Sequence, residues 1–191
     1  MQTNQTNQEE AAAGGGREQA GASSRGQKSL SHEDECRVRD EKNLATSSVG
    51  WVAKHLKGVS RVTVSVLGLL VEEKCAEELV MQGATPIPSG IAVVKDMLIC
   101  KRDVYLICHV QDDVGEAVVL GALEHHGLIG ESEHQVPVHR VIFCSSQLST
   151  VSIVRQLEPH MHVDGDKEIV QELSRFLNAQ QLSSMQDLLV L

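Results

Sequence analysis

Between Arg61 and Leu177 the chain alternates short runs of β-branched and aliphatic residues with stretches of helical periodicity, a pattern that few folds accept. Val62-Thr63-Val64-Ser65-Val66-Leu67 predicts a strand, because β-branched side chains suit a pleated, buried surface. Gly68 interrupts it, and Leu69-Leu70-Val71 extends or bends it. Val104 to Val110, Val138 to Cys144 and Met161 to Val163 predict three further strands. Helical stretches separate them. Cys75 to Met81 is a short one, and Pro88-Ser89 opens a second with Ile91, Val94, Met97 and Leu98 on one face, since the fixed φ of proline suits a first turn. Asp112-Asp113 reads as the cap of a third that reaches about His126, where Gly127 stops it. Ser149 reads as the cap of a fourth that carries Ile153, Val154 and Leu157 and ends at Pro159. After the turn Asp164-Gly165-Asp166, a last helix carries Ile169, Val170, Leu173, Phe176 and Leu177.

Strands joined through helices run parallel, with helices packed on both sheet faces. Near-continuous apolar strands fit burial from both sides. The expected fold is an α/β, Rossmann-like three-layer sandwich with a mostly parallel sheet, over about residues 58–178. Residues 1–45 are polar and rich in Gln, Gly, Ser and charge, a composition that does not bury enough apolar surface to offset chain entropy, and disorder is expected there. Residues 46–57 read as a linker or short amphipathic turn around Trp51, Val52 and Leu56, and 179–191 as a C-terminal tail. The longest uncharged apolar run, Val62 to Val71, is about half of the ~20 residues that a membrane-spanning helix needs, so no span is expected. Five cysteines without a CxxC or a secretory leader point to reduced thiols, with Cys108 and Cys144 as small buried hydrophobes.

A net charge of -9 and 2% aromatic residues disfavour a nucleic-acid partner, which needs cations for phosphates and rings for bases. No GxGxxG, GxxxxGK[ST] or GxSxG occurs at a strand end, so no cofactor is expected. One enzymatic pattern is approached. Phosphotransferases of the haloacid-dehalogenase type carry Asp-x-Asp-Gly-Thr at the end of the first strand, one Asp attacking phosphorus and the other moving the proton. Here Ser65 stands at the nucleophile position and Leu67 at the acid/base position, with Gly68 retained. Leucine neither transfers protons nor binds Mg²⁺. The features of that fold are thus degenerate, and Asp164 and Asp166 read as a turn and a helix cap. The alternatives are a divergent phosphatase using Ser65 or the late acidic pair, and a nucleotide-sensing domain. The histidines, including His125-His126, His134, His139, His160 and His162, make no zinc spacing, and no metal site is expected.

The stretch Tyr105-Leu106-Ile107-Cys108-His109-Val110-Gln111-Asp112-Asp113, then His139-Arg140-Val141-Ile142-Phe143-Cys144-Ser145, Ser152-Ile153-Val154-Arg155-Gln156-Leu157-Glu158-Pro159 and His162-Val163-Asp164-Gly165, resembles the plant-type peroxisome biogenesis protein 22 family over about residues 58–178. The resemblance implies a non-catalytic role at the cytosolic face of the peroxisomal membrane: anchoring and activating the peroxisomal ubiquitin-conjugating enzyme that serves import-receptor recycling. It also implies membrane anchoring, from which this chain departs in carrying no transmembrane segment. A docking domain needs a rigid surface with a few anchors. The candidate partner-binding residues are Ser145, Ser146 and Gln147, where the third strand ends, with Arg155 and Glu158 on the following helix. Arg155 reads either as an anchor or as the i,i+3 ion-pair partner of Glu158.

Overall fold

The computed structural model describes residues 49–190. Helix α1 spans 49–55. It is followed by β1 (Arg61–Ser65), α2 (Ala76–Gln82), α3 (Pro88–Ile99), β2 (Asp103–His109), α4 (Asp113–His125), β3 (Val141–Cys144), α5 (Gln147–Leu157), β4 (Met161–Asp164), α6 (Lys167–Leu173) and β5 (Ala179–Gln181), with 3-10 turns at Val138–Arg140 and Met185–Val190. The strands form one five-stranded sheet in the order β3-β2-β1-β4-β5. Every pairing is parallel, with Val62 opposite Val104 on one side of β1 and opposite Met161 on the other. This is the expected Rossmann-like arrangement. The chain starts at the central strand, winds outward to β3, then crosses over β1 and β2 to β4.

Strand periodicity sorts the side chains into two cores. Val62, Val64 and Val66, with Val104, Leu106 and Cys108 and with Met161 and Val163, face α3 and α4 in the larger one. Ile107 and Cys144 face Val154 of α5 and Ile169 and Leu173 of α6 in the smaller one. With helices on both faces the sheet is the middle of three layers.

Several boundaries move from those read in the sequence. Val138–Arg140 is a 3-10 turn, and β3 begins only at Val141, which pairs with Leu106. Pro137 precedes that turn, and its missing N–H cannot extend a ladder. Ser146, not Ser149, caps α5: its Oγ accepts from the Ser149 N–H at 3.2 Å, so Ser149 lies inside the first turn. Leu69, Leu70 and Val71 do not lengthen β1. Their N–H groups all turn back onto the Val66 carbonyl at 2.9–3.3 Å. Helix α6 ends at Leu173, before Phe176 and Leu177.

The folded unit is also wider than 58–178. Gln180 pairs with Val163 in β5, and Met185 and Leu188 are buried against the main core, so 179–190 is not a tail. At the other end Val52 and Leu56 join the same core. The expectation for 1–45 lies outside the described residues. No helix among the described residues is long and apolar enough to cross a membrane.

Two glycines test the packing in opposite directions. A Cβ on Gly90, in the first turn of α3, would stand 2.1 Å from the Leu69 carbonyl oxygen, a backbone atom with no room to give. Gly121 in α4 is exposed, and a Cβ there would meet nothing within 4 Å. Gly90→Ala should destabilise the domain by about 1–3 kcal/mol through the clash. Gly121→Ala should stabilise it by up to about 1 kcal/mol through helix propensity. Urea unfolding of the two variants beside the parent measures both, and a Gly90→Ala protein at parental stability would contradict the packing.

Candidate functional site

Open parallel sheets bind ligands at the carboxyl ends of their strands, where neighbouring strands send their connections to opposite faces. Here that point lies between β1 and β4: β1 continues towards α3 on one face and β4 towards α6 on the other. A cavity of about 500 Å³ opens there. Ser65, Leu67 and Gly68 from the end of β1 line it, with His109 from β2, Gln147 and Thr150 from α5, and Asp164 and Asp166 from the β4–α6 turn. Lys74, Cys75 and Glu77 complete the wall from the segment entering α2.

The acidic residues are held by protein donors. Asp164 is 2% exposed. Its Oδ1 accepts from the Asp166 N–H at 2.8 Å, and its Oδ2 meets His162 Nε2 at 3.2 Å. The Asp166 carboxylate caps α6, accepting from the N–H groups of Glu168 at 2.7 Å and Ile169 at 3.4 Å, while its other oxygen accepts from Gln147 Nε2 at 2.7 Å. The Asp164–Gly165–Asp166 segment is therefore a turn and a cap.

His162 is completely buried between Asp164 and Thr63, whose Oγ1 stands 2.8 Å from His162 Nδ1. A carboxylate only accepts, so Nε2 carries a proton facing Asp164, and in the neutral ring Nδ1 accepts from the Thr63 hydroxyl. His162 alternates with Met161 and Val163, which puts its ring on the face opposite the main core, beneath α5 and α6.

Other ionisable groups around the cavity are set locally. Glu77 stands in the first turn of α2, where backbone hydrogen bonding holds its carboxyl below the usual range, helped by Cys75 and by Gln111 Nε2, which donates to it at 2.9 Å. Burial pushes the thiols of Cys108 and Cys144 up; for Cys144, hydrogen bonds at the Thr150 hydroxyl, 3.1 Å away, and at the Ser146 backbone pull the other way.

The sequence-predicted residues do not form one cluster. Gln147 reaches the cavity through Asp166. Ser146 caps α5, its Oγ lying 2.7 Å from Ser149 Oγ, and Ser145 is exposed beside it. Arg155 and Glu158 lie at the far end of the 11-residue α5, about 16 Å along the helix axis. Arg155 and Glu158 form no ion pair. The Arg155 guanidinium lies over the Phe176 ring, 4.1 Å from its centroid, and Glu158 takes the left-handed conformation that ends the helix, φ 47°. Lys74, His109 and Thr150 were not singled out from the sequence. His109 was within reach, because it ends a predicted strand, where ligand-facing residues collect. Lys74 and Thr150 reach the cavity only through the path of the β1–α2 segment and the pitch of α5.

The family now follows from comparison with known proteins. Residues 52–189 match the family model described as "Peroxisome biogenesis protein 22, Haloacid dehydrogenase-like domain". The chain belongs to the peroxisome biogenesis protein 22 family. It is 36% identical over 129 residues to the curated "Peroxisome biogenesis protein 22" of Arabidopsis thaliana, covering 68% of this chain and 44% of that protein. The chain thus spans less than half the length of that relative.

The haloacid-dehalogenase-like description implies a Mg²⁺ site, and the donor set here does not fit one. Ser65 and Leu67 stand where two carboxylates would be needed, and both oxygens of Asp164 already accept protein N–H groups. Among the described residues no group of three His, Cys, Asp or Glu side chains is arranged to hold a metal ion.

Two outcomes follow from this geometry. Thr63→Val keeps the shape but leaves His162 Nδ1 buried without a partner, and should cost about 1–3 kcal/mol in urea unfolding. Half-buried Cys75, on the cavity wall, should be alkylated by iodoacetamide in the native protein well before buried Cys108 and Cys144. Peptide mapping after timed alkylation reads the order, and equal rates for the three would contradict the burial.

Proposed function

We propose that this chain works in peroxisome biogenesis as a non-catalytic docking and activating partner of the peroxisomal ubiquitin-conjugating enzyme, at the cytosolic face of the peroxisomal membrane, in support of import-receptor ubiquitination and recycling. The single observation that supports it best is the replacement of reacting groups at the switch-point cavity, with Ser65 and Leu67 at the two positions where phosphoryl transfer needs carboxylates. Family membership supports the peroxisomal setting.

A docking surface requires exposed, rigidly held side chains instead of a reacting constellation. The outer face of α5 offers one that links the two groups of candidate residues. Leu148, Ser152 and Arg155 recur at helical spacing and are all exposed, Leu148 at 81%. Ser145, Ser146 and Gln147 border one end of this stripe and Glu158 the other. We assign the partner face to this stripe. Of these side chains Arg155, its guanidinium stacked on an aromatic ring, is of the type that most often anchors an interface, and exposed Leu148 adds apolar contact beside it.

Isothermal titration of the full chain with the peroxisomal ubiquitin-conjugating enzyme of the same source tests the reading. A one-to-one complex is expected, with Leu148→Asp and Arg155→Glu each weakening it by about tenfold or more at unchanged melting temperature. Absence of a complex, or Mg²⁺-dependent hydrolysis of p-nitrophenyl phosphate that Asp164→Asn abolishes, would replace docking with catalysis.

A further inference from the structure

The whole chain carries a net charge of -9, yet four of the five arginines among the described residues gather at the end of the sheet opposite the cavity. Arg61 opens β1, Arg102 immediately precedes β2, and Arg140 immediately precedes β3. Because α5 runs antiparallel to the strands, its last turn, with Arg155, ends at the same edge, where Arg61 Nη1 donates to the Leu157 carbonyl at 2.6 Å. Carboxylates near this edge are Asp103, paired with Arg140 at 3.0 Å, Glu158, and Glu172, paired with Arg175 at 3.0 Å just before Phe176. With Arg175 included, five guanidinium groups against these three carboxylates leave the edge basic.

These arginines are positioned and not simply solvated. Tyr105 lies between two of them, its ring centroid 5.7 Å from the Arg61 guanidinium carbon and 5.3 Å from that of Arg140. Arg155 lies over Phe176 at 4.1 Å, and that ring is 59% exposed. The chain has only four aromatic residues, counted as Phe 2, Tyr 1 and Trp 1, so half of them serve as platforms for arginine at one edge. The Nε atoms of Arg61 and Arg102 are buried without a hydrogen-bond acceptor. Stacking fixes the plane of a guanidinium and lowers the entropy lost when its fork grips a carboxylate.

We infer that the arginine–aromatic edge formed by Arg61, Tyr105, Arg140, Arg155 and Phe176 is a docking surface for an acidic protein segment, one that presents paired carboxylates beside an apolar side chain. Rigid, stacked arginines suit bidentate carboxylate recognition, whereas attraction to an anionic membrane works through clusters of flexible, hydrated lysines. Lys101, next to Arg102, is instead paired with Glu133. Phe176 supplies the apolar contact. Arg155 belongs to both this edge and the α5 stripe, so the two readings are told apart by ligand: Arg140→Gln and Phe176→Ala should weaken the acidic peptide and leave binding of the ubiquitin-conjugating enzyme unchanged.

The test is fluorescence anisotropy of a labelled peptide with the repeat Glu-Glu-Leu, titrated with the full chain at pH 7 in low salt. Binding is expected despite the like net charges of peptide and protein, and it should weaken about tenfold or more between low and physiological salt. The Arg140→Gln/Arg155→Gln double variant should lose about tenfold in affinity at an unchanged melting temperature, and Phe176→Ala should weaken binding with the charges intact. Unmodified chain that ignores the peptide would overturn the inference, as would a double variant that binds like the parent. Flotation with vesicles of 30% phosphatidylserine in phosphatidylcholine forms the second arm, and retention on the vesicles without peptide binding would assign the edge to lipid and reject the proposal.

Discussion

The polar chain Thr63–His162–Asp164 fixes the seam on which the rest of the fold depends. Strand β4 reaches its place by crossing over the sheet, and it pairs with β1 through only three residues. Such a short parallel ladder specifies register weakly by itself. A slip by one residue would move His162 into the aliphatic core and leave Val163 facing Thr63, which the buried imidazole makes costly. The hydrogen bond from Thr63 to His162, which are opposite each other in the ladder, thus ties the two halves of the doubly wound sheet in one register. Asp164 then passes the constraint to the next element, because its second oxygen holds the Asp166 N–H and Asp166 starts α6.

The same chain explains what became of the chemistry at the switch point. A carboxylate available to a metal or a substrate needs open lone pairs facing the cavity. Asp164 and Asp166 direct theirs to His162, to backbone N–H groups and to Gln147. Ser65 at the end of β1 supplies a weak nucleophile where a carboxylate would be needed, and Leu67, just beyond the strand, a side chain that moves no proton. The acidic turn has thus been retained as architecture: it closes β4 and starts α6, whatever the cavity holds.

The alternation of apolar strands and helices made the architecture legible, since period and order are properties of the sequence. Asp112 and Asp166 were legible as caps because their short acidic side chains precede helical periodicity. What escaped reading depends on partners distant in the chain. Pro137 was a sign that the ladder starts late, but where β3 begins depends on Leu106, which pairs with Val141. Residues 179–190 carry apolar side chains without a strand or helix period, and their order comes from Asp164, whose carbonyl accepts from the Leu182 N–H, and from the core that takes up Met185 and Leu188. At the site, Ser65, Leu67, Asp164 and Gln147 were read from position alone. Lys74 and Thr150 needed the folded path. Arg155 was read with its i,i+3 neighbour, whereas its ring partner Phe176 lies 21 positions away and past the end of another helix.

The two ends of the sheet have been put to different uses, and electrostatics explains why they can be. At the carboxyl ends the acidic residues are consumed by internal hydrogen bonds around a cavity. At the amino ends the guanidinium groups are spread over aromatic rings at the surface, where an arginine keeps most of its donors free while its plane is fixed. Helix α5 connects the two, running from the capped turn at Ser146 to the left-handed stop at Glu158. Its inner face carries Thr150 and Val154 into the protein, and its outer face stays exposed, with Arg155 there stacked on Phe176. A rigid helix that spans the domain and is held at both ends by polar contacts, Ser146 with Ser149 and Arg61 with the Leu157 carbonyl, presents its exposed side chains in fixed relative positions. Preorganisation of that kind reduces the entropy lost on association, and it gives this domain a physical basis for recognition that needs no reacting group.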